Sequence, residues 1–110
     1  MDDFTKIRII KIMNRYTETK IPKDIQDRIR LTYKIRGNNV TLLEERPAYI
    51  GEGWTQYDIA QFRLDDQGKW KVYWRDSKDK WHWVDDIKES EDFEKQLKTV
   101  DQDNRGLFWG

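Results

Sequence analysis

The stretch IRLTYKIRGNNVTLLEERP, residues 29–47, decides how the rest of the chain is read. Ile29, Leu31, Tyr33 and Ile35 alternate with Arg30, Thr32, Lys34 and Arg36, so an extended chain puts its apolar side chains on one side and its polar ones on the other. Gly37-Asn38 follows, a pair that accepts the positive φ angles of a tight hairpin. A second strand then runs from Asn39 through Arg46, until Pro47, which has no N–H to donate, ends it. Counting across the turn pairs Ile35 with Val40, Tyr33 with Leu42 and, on the opposite side, Arg30 with Glu45. Such a hairpin seeds an antiparallel sheet with one buried and one solvated face.

Towards the C-terminus, Ala48 to Gln56 contains Gly51 and Gly53 beside Tyr49 and Trp54 and reads as a loop of about nine residues. Ala60, Phe62 and Leu64 then alternate with Gln61 and Arg63, Asp66-Gln67-Gly68 turns the chain, and Trp70, Val72 and Trp74 return. Asp76-Ser77-Lys78-Asp79 makes a further turn before Trp81 and Trp83. With that turn, Trp74 lies opposite Trp81 and Val72 opposite Trp83 on one face, while Tyr73 pairs with His82 on the other.

Helices are expected at both ends of the chain. Asp2 and Asp3 can cap one whose apolar positions, Phe4, Ile7, Ile9, Ile10, Ile12, Met13 and Tyr16, recur at helical steps, and Pro22 opens a short helix carrying Ile25. Ser90 caps a last helix striped by Phe93, Leu97 and Val100, and the apolar end Gly106 to Gly110 docks onto the body. The fold class is α+β: one domain over residues 1–110, a five-stranded antiparallel sheet made of a hairpin plus a three-stranded meander, with both terminal helices packed on one face.

The 21 basic and 21 acidic residues cancel, so no whole-molecule field draws the chain to nucleic acid or an anionic membrane, and any electrostatic preference is local. Absence of cysteine excludes disulfides, a thiol nucleophile and thiolate metal sites, and fits a reducing compartment. With no signal peptide or membrane span to read, the cytoplasm is the default location.

The string Thr41-Leu42-Leu43-Glu44-Glu45-Arg46-Pro47, then Ala60-Gln61-Phe62-Arg63, then Trp70-Lys71-Val72-Tyr73-Trp74 with Trp81-His82, resembles a small bacterial family catalogued as domain of unknown function 3024. The ending Phe108-Trp109-Gly110 is similar to that family too, and the resemblance runs from the first helix onward. It implies a standalone bacterial protein and brings no activity with it.

Candidate sites therefore rest on the residues. The polar sheet face would carry Arg30, Thr32, Lys34, Thr41, Leu43, Glu45, Gln61, Arg63, Lys71, Tyr73, Arg75 and His82. Its balance is basic, and aromatic rings among cations suit single-stranded nucleic acid or another phosphate-bearing ligand. Its plain alternative is a solvated face with no partner. Glu44 and Arg46 point towards the core side at a strand end while Glu45 points away, which reads either as a rim site for a polar ligand or partner loop, or as an ion pair tying down the loop after Pro47.

His82, the single histidine, allows a lone acid–base role but no paired-histidine metal site, and Ser77 and Ser90 sit in turn and cap contexts rather than in a catalytic triad. Asp65, Asp66 and Lys69 faintly resemble a nuclease grouping but occupy a turn. The reading is a non-enzymatic binding module without cofactor or bound metal, monomeric or homodimeric. Its rivals are a metal-dependent hydrolase or nuclease using Glu44, Glu45 and His82, and a structural domain that binds another protein.

Overall fold

The computed structural model describes residues 1–109. In chain order it comprises helix α1 (Asp3–Thr19), a 3-10 turn (Lys23–Ile25), strands β1 (Arg30–Arg36), β2 (Asn39–Pro47), β3 (Trp54–Leu64), β4 (Trp70–Arg75) and β5 (Trp81–Trp83), and helix α2 (Phe93–Gln102). Among the described residues the strands form one antiparallel sheet in the order β1-β2-β3-β4-β5.

The first hairpin has the register its alternation predicts, with Ile35 opposite Val40, Tyr33 opposite Leu42 and Arg30 opposite Glu45. Helix α1 begins where Asp2 accepts a hydrogen bond from Thr5 N at 2.7 Å, which satisfies one of the free N–H groups of the first turn. Ile9 and Met13, one turn apart, enter the core, but Phe4 and Ile7 stay exposed because they lie round the helix from the sheet.

Helix α2 is capped by Asp92 rather than Ser90: the Asp92 carboxylate accepts from Lys95 N at 3.2 Å. Ser90 instead forms an isolated bridge with Trp70 and takes the Asp92 N–H on its hydroxyl. Both helices cover the same face. Ile9, Met13, Phe93, Leu97 and Val100 close with Leu31, Val40, Leu42, Ala60, Phe62, Trp70 and Val72 into one core. The Phe93 ring sits 4.9 Å from both Phe62 and Trp70, tilted on the first and edge-on to the second. Buried Gln96 is satisfied by donating to Trp70 O and Lys88 O, at 2.8 and 3.0 Å.

A bulge after Leu42 distinguishes the middle of the sheet. Leu42 faces Ala60 and Leu43 faces Asp58, so Ile59 has no opposite number; it enters the core, and Leu43 is buried on the other face between Thr32 and Asp58. The loop before β3 covers residues 48–53 and is closed by an Ala48 N–H to Gly53 O bond of 3.0 Å, so Trp54 begins a strand instead of lying in a nine-residue loop. At its tip Tyr49 and Ile50 are exposed.

The last hairpin departs from the expected register by one residue. Arg75 pairs with Trp81, Trp74 with His82 and Tyr73 with Trp83. The turn holds Asp76 to Lys80, closed by an Asp76 N–H to Lys80 O bond, with Asp79 at φ +64° in the left-handed region. This is a three-residue loop with a bulge at its end, where glycine is usual and Asp is tolerated. The turn from Asp65 to Lys69 is built the same way, with Gly68 at φ +75°.

The terminus docks as its composition predicts. Asp103, itself at φ +46°, accepts backbone N–H groups from Leu107, Phe108 and Trp109, and the Trp109 indole donates to Val100 O at 3.0 Å. Phe108 and Trp109 pack against the core, while the expected docking of Gly110 lies outside the described residues.

Candidate functional site

The sheet face turned away from the helices is the candidate site, and strand alternation determines its members. Arg30, Thr32 and Lys34 of β1, Thr41, Leu43 and Glu45 of β2, Gln56, Asp58, Gln61 and Arg63 of β3, and Lys71, Tyr73 and Arg75 of β4 share it. The corrected register of the last hairpin exchanges two residue types. Trp81 and Trp83 come to this face beside Arg75 and Tyr73, and His82 goes to the helix side, where its ring stacks on Trp74 at 5.0 Å. Trp54, at the start of β3, also faces outward, opposite Pro47.

Four rings and four cations therefore interleave on one surface. Arg30 lies 3.7 Å from the Trp54 ring centre, Arg63 3.8 Å from Tyr73, Lys71 5.0 Å from Trp83 and Arg75 5.5 Å from Trp81. Each cation is drawn to the electron-rich ring face, and its aliphatic stem covers apolar surface. Each ring is thus partly covered by a cation on a face that water reaches. Trp83 is the most open of them, 45% exposed.

Carboxylates answer only part of this charge. Arg30 pairs with Glu45 at 3.1 Å, and Arg75 pairs with Asp58 and, at 3.4 Å, with Asp79. Arg63 donates to Gln61 Oε1 at 2.6 Å and Lys34 to Gln56 Oε1 at 3.2 Å, both neutral acceptors. Among the described residues Arg63, Lys71, Lys34 and Arg36 have no carboxylate within ion-pair distance. The face thus presents unneutralised cations beside flat apolar rings.

The other sequence candidates lie apart. Glu44 and Arg46 are on the helix side of the β2 end, joined at 2.9 Å, while Glu45 is on the outer face with Arg30 and Gln56. This is the ion-pair arrangement at the strand end, next to the loop that starts at Ala48. His82 contacts Asp76 Oδ2 at 2.6 Å on β5, separated from β2 by two intervening strands and so by roughly 14 Å across the sheet. Glu44, Glu45 and His82 accordingly do not converge on a common cleft. Among the described residues no group of three His, Asp or Glu side chains is placed to hold a metal ion. Asp65 accepts the N–H groups of Gln67 and Lys69 at 2.9 Å each, which accounts for it as a turn former. Those bonds hold its carboxyl below the ordinary range.

Sequence reading puts Trp54 in a loop, as a ligand-lining ring or a plug of the core, and Trp81 and Trp83 on the core face, so it expects none of the three on this face. For the last two a signal existed. Asp65-Asp66-Gln67-Gly68-Lys69-Trp70 and Asp76-Ser77-Lys78-Asp79-Lys80-Trp81 repeat one pattern, Asp, two residues, Gly or Asp, Lys, Trp. Reading Asp79 in the place of Gly68 gives the bulged turn and the observed register.

Fold and face together define a class: a small α+β module with two helices packed on one sheet face and the other laid out as alternating rings and cations. The chain belongs to the family described as Domain of unknown function (DUF3024), whose family model matches residues 1–110. Neither a curated protein nor a solved structure matches it. Among the described residues no helix is long and apolar enough to cross a membrane.

Proposed function

We propose that this protein is a non-enzymatic binding module whose outer sheet face takes single-stranded nucleic acid, in a bacterial cytoplasmic setting. One observation carries the reading: Tyr73 and Trp83 stand beside Arg63 and Lys71, two cations without a carboxylate partner among the described residues. Bases have a flat face whatever their identity, so a ring or a guanidinium plane can stack on any of them, while cations at matching intervals neutralise the phosphates between. Duplex DNA hides its base faces and cannot use these rings.

The partly exposed Trp83 ring and the guanidinium of Arg63 are the stacking surfaces, and Lys71, Lys34 and Arg36 are the phosphate contacts. Arg75 is held in reserve by Asp58.

Tryptophan fluorescence tests this. Short oligothymidylate and oligouridylate, titrated at low and then moderate salt, are expected to quench the emission and to bind more tightly than inorganic polyphosphate of equal charge. Absence of quenching at low salt would refute nucleic-acid binding, and equal affinity for polyphosphate would reduce the face to a simple anion-binding surface.

A further inference from the structure

Helices α1 and α2 leave a second surface that the sheet face does not involve. Arg8 meets Glu94 at 3.8 Å and, two turns on, the Tyr16 hydroxyl donates to Asp101 at 2.6 Å, so the helices run side by side in the same direction. Between them is an open groove of about 620 Å³. Ile12 and the Tyr16 ring from α1 and Leu97 from α2 supply its apolar lining, and Arg8, Lys11, Arg15 and Lys98 its exposed basic rim.

Its charge is one-sided where it matters. Asp101 is already held by the Lys20 ammonium at 2.7 Å and by Tyr16. Against burial, which raises it, those bonds keep the Asp101 carboxyl below its ordinary range, so that charge is spent within the fold. Among the described residues Glu94 pairs only with Arg8, across a long contact with the Arg8 and Glu94 side chains 68% and 63% exposed. Lys11, Arg15 and Lys98 have no carboxylate within ion-pair distance among the described residues. One turn before Arg8 and Lys11, on the same side of α1, Phe4 and Ile7 are 89% and 66% exposed.

We propose that this groove docks an acidic amphipathic helix of a partner protein. The stretch of α1 that lines it, Arg8 to Thr19, is roughly 16 Å long, the length of a three-turn helix. A third helix resting on two parallel ones sets its apolar stripe on Ile12, Leu97 and Tyr16, and a fourth apolar position reaches Phe4 and Ile7. Glutamates flanking that stripe meet Lys11 and Arg15 on one rim and Lys98 on the other. Concavity favours a helix over a lipid surface, which would require a flat or convex apolar face.

The test uses the isotope-labelled full chain and a synthetic amphipathic helical peptide with a leucine stripe flanked by glutamates. Two comparison probes are the same peptide with lysine for every glutamate, and phosphatidylglycerol vesicles. The glutamate peptide is expected to shift the amide signals of Ile12, Tyr16, Leu97 and Lys98, the lysine peptide to leave them unmoved, and the triple change Lys11→Glu, Arg15→Glu and Lys98→Glu to weaken binding at least tenfold. All three are exposed, so the variant keeps its fold, checked by an unchanged melting curve. No groove shifts with the glutamate peptide, equal shifts with the lysine peptide, or binding to vesicles alone would each overturn the proposal.

Discussion

Asp58→Asn is expected to tighten the binding of single-stranded nucleic acid while loosening the fold. Asp58 sits on the outer face opposite Leu43 and holds Arg75, with the two side chains 22% and 27% exposed. Neutralising it takes a negative charge off the face and leaves Arg75, among the described residues, with Asp79 alone, an exposed residue 3.4 Å away. One further neutralised phosphate on a single strand steepens the fall of log affinity with log salt by about 0.7. Referred to about 1 M salt, where the electrostatic contribution vanishes, that is roughly eightfold tighter binding at about 50 mM and threefold at about 200 mM. The lost ion pair costs about 1 kcal/mol, or some 4 °C in melting temperature for a chain of this size. Fluorescence anisotropy of a labelled oligothymidylate at both salt concentrations reads the gain, and a less stable protein that binds better cannot owe its change to unfolding. Unaltered or weaker binding by a variant with the wild-type circular dichroism spectrum would refute the reasoning.

Trp83→Leu should weaken oligonucleotide binding about tenfold, within the range of one lost base stack, and leave the salt slope as it was; a changed slope with unchanged low-salt affinity would contradict a stacking role. Lys71→Gln should do the converse and lower the slope by about 0.7, read by the same anisotropy titration. Gln96→Leu should cost about 2 kcal/mol in urea unfolding, because it removes the donor to two carbonyls, Trp70 O and the partly buried Lys88 O, and a loss under about 0.5 kcal/mol would show both to be otherwise satisfied. The hydrogen bond with His82, then those from Lys80 N and Lys78 N, hold the Asp76 carboxyl at about 2 against an ordinary 3.8. A depressed carboxyl favours the folded state above its unfolded value, so this contribution is complete above about pH 4 and is lost as pH falls towards 2. Urea midpoints measured down that range should fall for the wild type and fall less for Asp76→Asn.

How much of this was legible depends on which forces act locally. The first hairpin was readable to the residue because period-two alternation from Ile29 to Ile35 and the Gly37-Asn38 turn agree on one register. Gly68 advertises its positive φ, whereas Asp79 takes the same conformation at a cost and reads as an ordinary turn residue, and that one residue moved Trp81, His82 and Trp83 to opposite faces. Phe4 and Ile7 match the helical period of Ile9 and Met13, and only the placement of the sheet reveals that they stay exposed among the described residues. Arg63 reaches the Tyr73 ring diagonally, since the register sets it opposite Lys71, and that choice of rotamer is not written in the strand alternation. The interhelical groove was equally invisible, since it exists only once Leu97 and Ile12 are brought to neighbouring helices.

The most direct test of the outer face is an amide and indole NMR titration with a short single-stranded oligonucleotide. Binding at this face predicts salt-sensitive shifts at Arg63, Lys71, Tyr73 and Arg75 and at the indoles of Trp81 and Trp83, with Ile12 and Leu97 unmoved. Shifts confined to the helix side, or none at low salt, would contradict it.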